Sequence, residues 1–444
     1  GGWNGFKHGR VARRCGGRGR ARGGRRANGF SRLRLGGDDP WIDEEAGVGR
    51  AEGGGKIAVA ALVLGFYKQS SFMTVFFPRE SDAVRVALSP DNAGKLHKLG
   101  LEVVVQSGLG EGLGWCDQDY MAKGARVVAN AAVPDGCGLV VRVNHPPGDQ
   151  AAPRGAVHLS SLDAFREREL VGALAAAGIS AISVEMIPRT TIAQKMDVLS
   201  SQASLAGYAA VILAAERLDR VFPMMMTPSG TIAAAKVFIV GVGVAGLQAI
   251  ATAKRLGAKV EAFDTRPAVE EQVQSLGAKF VKVDLGETGQ TAQGYAKALT
   301  EEQLAKQRDV MARQVSQSDV VITTAQVFGR PAPRILTSAM LEAMRPGSVV
   351  IDMAAATGGN VEGSEPGVEK RIGGALLLGA KNLADHVALH ASQMLSNNYL
   401  ALIEHLWDKE TKALKIDPSD EILAGCLLTH GGEVVHPQFR QPTT

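Results

Sequence analysis

Cysteine is scarce. Four occur in 444 residues, Cys15, Cys116, Cys137 and Cys426. They form no C-x-x-C pair and have no histidine at zinc spacing, which excludes a zinc module and a disulfide scaffold. Reduced thiols in a reducing compartment are expected, and no metal site. Long apolar runs are also missing. No stretch of 18 or more apolar residues occurs, so no membrane-spanning helix is expected. The nearest approach, "KIAVAALVLGF" (Lys56–Phe66), is too short to span, and its length suits a signal h-region or a buried strand. Aromatic residues make up only 5% of the chain, whereas glycine, alanine and valine are plentiful. That is the composition of nucleotide-binding α/β proteins. No internal repeat at solenoid periods is present.

Acid is absent from the first 37 residues, which hold ten arginines and one lysine. With the whole chain at +4, the remainder carries −7, so the basic balance belongs to a Gly/Arg-rich leader. An Arg-rich, acid-poor leader fits a transit peptide. It also fits a disordered tail or a misplaced start, and "RRCGGRGRARGGRR" resembles an RGG-like RNA-binding segment. No nucleic-acid partner is expected for the folded part.

Order is expected from about residue 72. "MTVFFPRE" (Met73–Glu80) reads as a short strand stopped by Pro78. In "SPDNAGKLHKLGLEVVVQSG", Ser89 is a fitting N-cap, Pro90 a first helical residue and Gly100 a helix stop before a β-branched strand. The helix–glycine–strand unit recurs in "QDYMAKGARVV" and "LVGALAAAGISAISVEMIP", and "GLVVRVNHPP" is a strand halted by prolines. A second series opens at Ala233, with later strands in "AKFVKVD", "DVVITTA", "SVVIDMA" and "GALLLG". "ASQMLSNNYLALIEHLWDKE" (Ala391–Glu410) reads as a long amphipathic helix returning to the first domain. The alternation predicts an α/β fold with two Rossmann-like, doubly wound parallel-sheet domains, a cleft between them and a disordered leader. The expected boundaries are 1–71 for the leader, 72–204 plus 386–444 for a discontinuous first domain, and 205–385 for the second.

"GVGVAG" places Gly241, Gly243 and Gly246 in G-x-G-x-x-G, with Val244 and Ala245 at its variable positions. The apolar strand "KVFIV" precedes it, a helix follows, and a second strand ends about twenty residues on at Asp264. Gly241 permits the tight turn, Gly243 lets the backbone approach a pyrophosphate, and Gly246 lets helix and sheet pack closely. The helix N-terminus offers N–H groups to phosphate. Asp264, followed by Thr265 and Arg266, is expected to accept hydrogen bonds from the adenosine ribose and to repel a 2′-phosphate, so NAD(H) is read over NADP(H). Arg266 keeps a second option open, as a ligand for that phosphate.

"PRTTIAQKMDVLSSQASLAGY" (Pro188–Tyr208) is polar in front and small-sided behind. No Ser/His/Asp or Cys/His constellation is visible, and His145 and His158 read as surface or packing residues. A hydride carrier without an acid/base partner suits direct exchange between two nicotinamides, which needs positioning rather than proton transfer. Arg189 can donate in a fork, Gln194 can donate and accept, Ser200 can bond a carboxamide, and Asp197 can orient Arg189 or a ribose. The bare pattern equally fits a polar turn capping a helix.

Three stretches carry a resemblance. They are "MIPRTTIAQKMDVLSSQASLAGY", "VGVGVAGLQAIATAKRLGAKVEAFDTRP", and "TTAQVFGRPAP" with "MRPGSVVIDMAAATGGN". The chain, from about Thr74 to His436, resembles the NAD(H)-binding domain of the proton-translocating NAD(P) transhydrogenases, in their alpha subunit. The resemblance implies that Arg189, Gln194, Asp197 and Ser200 contact the nicotinamide. It also implies that Tyr295, beside Gly294 in "QGYAKAL", closes a mobile loop over the cofactor. Gln307 and Gln326 match positions near the adenosine, and Gln326 stands where many relatives are expected to carry an apolar residue. The implied assembly is a homodimer docked on membrane-embedded subunits that hold the proton channel and the NADP(H)-binding domain. It would lie on the cytoplasmic face of a bacterial inner membrane or on the mitochondrial matrix side. Alanine dehydrogenase is a near relative with the same layout. It uses a lysine in a "KVKEP"-like strand end and a histidine in an "HLA"-like one. Here "RVNHP" puts Asn144 where that lysine would be, and "VHLS" offers His158 for the histidine. The alternatives are amino-acid oxidation of that kind and a non-catalytic NAD(H) sensor.

Overall fold

The computed structural model describes residues 73–81, 83–146, 151–284, 286 and 300–440. The leader (1–71), Gly294 and Tyr295 therefore lie outside the described residues.

The strands of the first half are β1 (Thr74–Phe77), β2 (Glu102–Gln106), β3 (Arg126–Val128), β4 (Cys137–Val141), β5 (Val157–Ser160) and β6 (Ser180–Ser183). A hairpin follows, β7 (Met225–Thr227) and β8 (Gly230–Ile232). The second half supplies β9 (Lys236–Val240), β10 (Lys259–Phe263), β11 (Lys279–Phe280), β12 (Val320–Thr323), β13 (Val349–Asp352), β14 (Glu369–Ile372) and β15 (Ala375–Gly379). Near the end come β16 (Trp407–Asp408), β17 (Ala413–Leu414), β18 (Leu427–His430) and β19 (Glu433–Val434). The helices are α1 (Pro90–Lys98), α2 (Asp117–Met121), α3 (Arg168–Ala176), α4 (Val198–Arg217), α5 (Val244–Arg255), α6 (Glu270–Ser275), α7 (Glu301–Gln317), α8 (Ser338–Glu342), α9 (Ala388–Leu406) and α10 (Leu423–Cys426).

One sheet runs β19-β18-β6-β5-β4-β1-β2-β3 and the other β11-β10-β9-β12-β13-β15-β14. β1 to β6 pair parallel, as do β9 to β13 and β15, whereas β14, β18 and β19 pair antiparallel. Each parallel set has the 3-2-1-4-5-6 order of doubly wound nucleotide-binding sheets, and its switch point falls beside the first strand of the set. Residues alternate between the two faces of β9: Val237 and Ile239 enter one apolar cluster, Phe238 and Val240 the opposite one. Both faces are covered, which is why the parallel strands read as unbroken apolar runs.

Ser89 caps α1 as expected, its hydroxyl accepting from the Asn92 N–H at 3.4 Å. The strand expected over "AKFVKVD" shrinks to Lys279–Phe280, and the antiparallel strands β14, β18 and β19 and the β7–β8 hairpin carry no clear signal in the sequence. The boundary expected at 204/205 falls inside α4. Its first residue, Val198, packs in the core of the first sheet, and Ala209, Ala210, Val211 and Ala214 pack in that of the second. α4 is also long and apolar enough by composition to cross a membrane. Here it instead joins the cores of two sheets, and its alanine-rich middle faces α5.

Candidate functional site

Strand β9 ends at Val240, and the chain turns through Gly241 in the left-handed region (φ 95°), which glycine adopts without steric cost. The Gly241 N–H bonds the Phe263 carbonyl of β10 at 2.9 Å, and its carbonyl accepts the Thr324 hydroxyl at 2.9 Å, just past β12. The turn is thus gripped from both sides of the switch point. Gly243 is the N-cap of α5 and has no side-chain cap. A Cβ there would meet nothing within 4 Å, so the glycine faces open space at a helix N-terminus whose N–H groups need acceptors. A Cβ on Gly246 would lie 2.0 Å from the Gly241 carbonyl oxygen. One glycine leaves room for a ligand and the other brings the helix onto its own turn. Val244 is 40% exposed and Ala245 half-buried. A pyrophosphate fits this cradle.

At the end of β10 the Asp264 carboxylate is 6% exposed. Oδ2 accepts from the Val242 N–H (2.7 Å) and from an Arg266 terminal nitrogen (2.8 Å). Oδ1 accepts from the Arg266 N–H and from Arg266 Nε, both at 2.9 Å. The guanidinium also donates to the Val242 carbonyl at 3.1 Å, and the hydrogen bond to Asp264 raises its pKa further. Arg266 is therefore tied to Asp264 rather than held out for a phosphate, and Thr265 between them is half-buried. Gln307 on α7 is buried, and Gln326 is exposed with its amide donating to the Met353 carbonyl at 3.4 Å.

The polar stretch between β6 and α4 is anchored from beneath. Ala193 and Met196 are buried in the first core, and Asn398 of α9 donates to the Lys195 carbonyl at 2.8 Å and accepts the Ser201 hydroxyl at 2.7 Å. Asp197 is the N-cap of α4: Oδ1 accepts the Ser200 N–H at 2.9 Å and Oδ2 the Ser200 hydroxyl at 2.6 Å. Two of the four expected residues thus serve as a helix cap, and the Asp197 carboxylate is engaged there. The cap uses neither Arg189 nor Gln194, and both side chains are exposed. The small side chains of α4 are explained at Gly207, where a Cβ would lie 2.2 Å from the Ala245 carbonyl oxygen of α5. The helix that carries the polar loop therefore lies directly on the helix that opens at the glycine cradle. At the far end of α4, Arg217 donates to both Glu369 carboxylate oxygens on β14, at 3.0 and 3.3 Å.

Contacts also bridge the segments that follow β5 and β12. Phe165 packs edge-on against Phe328 at 5.2 Å, and Arg166 donates to the Ala356 carbonyl at 2.9 Å. His158 is fully buried in β5, its Nδ1 bonded to the Ala151 carbonyl and its Nε2 to the Ser160 hydroxyl, both at 3.0 Å. Burial pushes its pKa down to about 3, so it is a neutral core residue and not the exposed acid/base of a dehydrogenase. The backbone N–H of Asn144 donates to Glu80 at 2.9 Å. No motif or spacing singles out Thr324, Asn398 or Gly207, which act through partners remote along the chain.

Two doubly wound sheets, a glycine cradle at the switch point of one, and a buried carboxylate ending its neighbouring strand define a two-lobed dinucleotide-binding α/β protein. The family model described as alanine dehydrogenase/PNT, N-terminal domain, matches residues 76–206, and the one described as alanine dehydrogenase/PNT, C-terminal domain, matches residues 210–437. The chain belongs to the alanine dehydrogenase/PNT family. It is 44% identical over 363 residues to the first of the chains that make up NAD(P) transhydrogenase subunit alpha in Rhodospirillum rubrum, covering 80% of this chain and 94% of that one. It is 28% identical over 376 residues to the alanine dehydrogenase of Halomonas elongata, covering 82% and 95%. Among solved structures it is similar to the transhydrogenase of Sinorhizobium meliloti, with a TM-score of 0.71 and 42% identity over 82% of this chain and 99% of that one.

Proposed function

We propose that this chain is the NAD(H)-binding, alpha-type subunit of a proton-translocating NAD(P) transhydrogenase, passing hydride between NADH and NADP+ held on a partner chain. One observation carries the reading. The polar loop bearing Arg189 and Gln194 and the glycine cradle sit on two helices in backbone contact at Gly207 and Ala245. One rigid pair of helices can therefore hold a dinucleotide at two places. When bound, the nicotinamide supplies the hydride. Gly243 and the N-terminus of α5 receive the pyrophosphate, and Asp264 receives the adenosine ribose. Arg189 and Gln194 grip and orient the nicotinamide end, with Tyr295 and Gly294 closing over it and Gln307 and Gln326 on the adenosine side. Asp197 and Ser200 hold the loop by capping α4. Hydride exchange between two nicotinamides moves no substrate proton, so positioning and exclusion of water are what the chain must provide.

Identity favours this reading over amino-acid oxidation, at 44% to the transhydrogenase subunit against 28% to the alanine dehydrogenase. So do a buried, neutral His158 and an asparagine at position 144. The assembly belongs to the same proposal: a homodimer, docked on membrane subunits with the proton channel and the NADP(H) domain, facing bacterial cytoplasm or mitochondrial matrix. The division at 72–204 plus 386–444 and 205–385 stands with it, α4 serving as the shared spine.

The test is single-turnover mixing of the NADH-loaded chain with an NADP+-loaded partner domain from a transhydrogenase. An oxidised nucleotide analogue whose reduced form absorbs at a shifted wavelength makes transfer visible. Transfer without any amino or keto acid is expected. Tight NADH binding without transfer would leave a sensor, and alanine-dependent NADH formation would leave a dehydrogenase.

A further inference from the structure

The Asp264 carboxylate has about four lone-pair positions to offer. All four are taken, by the N–H groups of Val242 and Arg266 and by two nitrogens of the Arg266 guanidinium. A ribose hydroxyl can donate to this carboxylate only if one of those donors leaves. The two backbone N–H groups are fixed by the turn after β9 and by the chain just past β10. The guanidinium is not fixed: its side chain is 15% exposed and swings on its own rotatable bonds.

We infer that Arg266 is a displaceable latch on Asp264, its guanidinium standing in for the adenosine ribose hydroxyls and giving way to them when the dinucleotide binds. This deepens the NAD(H) reading and rests on it. The exchange has a consequence for specificity. A ribose 2′-hydroxyl replaces the hydrogen bonds it displaces, because it is a donor. A 2′-phosphate brings acceptors only. It would draw the guanidinium away and leave Asp264, nearly buried, facing a second anion without its countercharge. The cost of a stranded buried carboxylate falls on NADP(H) alone. Arg266, read from sequence alone as a ligand for that phosphate, thus becomes part of the device that rejects it.

The latch makes the worth of the 2′-hydroxyl depend on Arg266. In the parent chain the hydroxyl only exchanges with a guanidinium already in place. The chain should therefore bind NADH and its analogue lacking the adenosine 2′-hydroxyl within about threefold of each other. With Arg266→Met, which keeps the apolar stem, the hydroxyl meets an open acceptor. A hydrogen bond to a charged group then counts in full, and the preference should widen to about tenfold or more. Calorimetric titration of both chains with both nucleotides reads this directly. A preference that stays the same or narrows in Arg266→Met overturns the latch and leaves Arg266 as a fixed support for Asp264. Should the variant fail to fold, a crystal structure of the parent with NADH decides: the guanidinium off Asp264 supports the latch, and all four donors still in place overturn it. A parent chain that binds NADH but behaves as a fixed support refutes only the latch. A parent that binds no dinucleotide removes the NAD(H) reading and the latch with it.

Discussion

At the scale of single residues the two glycines of the cradle separate binding from folding. A methyl group on Gly243 meets no protein atom within 4 Å, whereas one on Gly246 lies 2.0 Å from the Gly241 carbonyl. Gly243→Ala should melt within a degree or two of the parent yet lose most of its NADH affinity. Gly246→Ala should lose about 1–3 kcal/mol of stability or more by overpacking. Thermal unfolding paired with calorimetric titration of each variant checks the split, and similar behaviour of the two would remove the assignment of Gly243 to the pyrophosphate. Gln194 belongs to the rate. It is exposed, uncharged and outside the cap made by Asp197. Gln194→Asn should bind NADH within a few-fold of the parent while single-turnover hydride transfer slows at least about tenfold, because misplacement by about 1 Å costs on the order of a hundredfold. Parental transfer rates would reduce the loop to a helix cap. His158 makes a prediction about pH. Its pKa falls from an ordinary value near 6.5 to about 3 in the fold. The unfolded chain therefore binds one more proton between those limits, and stability is complete above about pH 6.5 and declines as pH drops towards 3. In His158→Gln the slope of unfolding free energy against pH over that window should be shallower by one proton. An unchanged slope would mean that His158 titrates alike in both states.

At the scale of elements α4 is the part on which the site depends most. Gly207→Ala pushes a methyl into the Ala245 carbonyl of α5, 2.2 Å away, and should cost about 1–3 kcal/mol. It should also weaken NADH binding, since it shifts the loop helix against the cradle helix. A stable variant with parental affinity would show that the two helices act independently. How much of this is legible in the sequence follows from the range of the interactions. The parallel strands and the cradle announce themselves locally, through helix–glycine–strand units and a glycine pattern with fixed spacing. β18 escapes such a reading because it joins the first sheet through Ala181 and Thr429, and its pairing partner lies far back along the chain. The span of α4 across two cores escapes for a different reason. Its composition is apolar and small on every side, so no periodicity marks which residues face which sheet. The polar loop reads equally well as cofactor grip and as helix cap because it contains both: Asp197 and Ser200 cap, whereas Arg189 and Gln194 remain outside the cap. The saturation of Asp264 depends on where an arginine two residues away folds back, and no sequence pattern encodes that.

At the scale of the whole molecule the β7–β8 hairpin is what the single chain leaves unexplained. Every residue of both strands is exposed, and Met224, Met225, Met226 and Ile232 are 62%, 43%, 78% and 48% exposed. A lone two-stranded hairpin is marginal in water, and consecutive exposed methionines are poor surface residues but good adaptable contacts. At the hairpin's foot, Val221, Phe222, Pro223 and Leu256 line an open depression flanked by Arg220 and Arg255. A second copy related by a two-fold axis would bring the same hairpin and the same depression from the other side, so one patch covers itself. The proposed homodimer therefore has its most economical contact here, away from the N-terminus of α5 where the pyrophosphate is placed. Met226→Lys puts a charge on the most exposed of these side chains and should shift the sedimentation mass from twice the 46.6 kDa chain towards a single chain at micromolar concentration. NADH affinity should stay within a few-fold, because the cradle and Asp264 are built from one chain alone. A parent that sediments as a single chain at the same concentration would refute the dimer itself. A variant that remains dimeric would move the contact to another face.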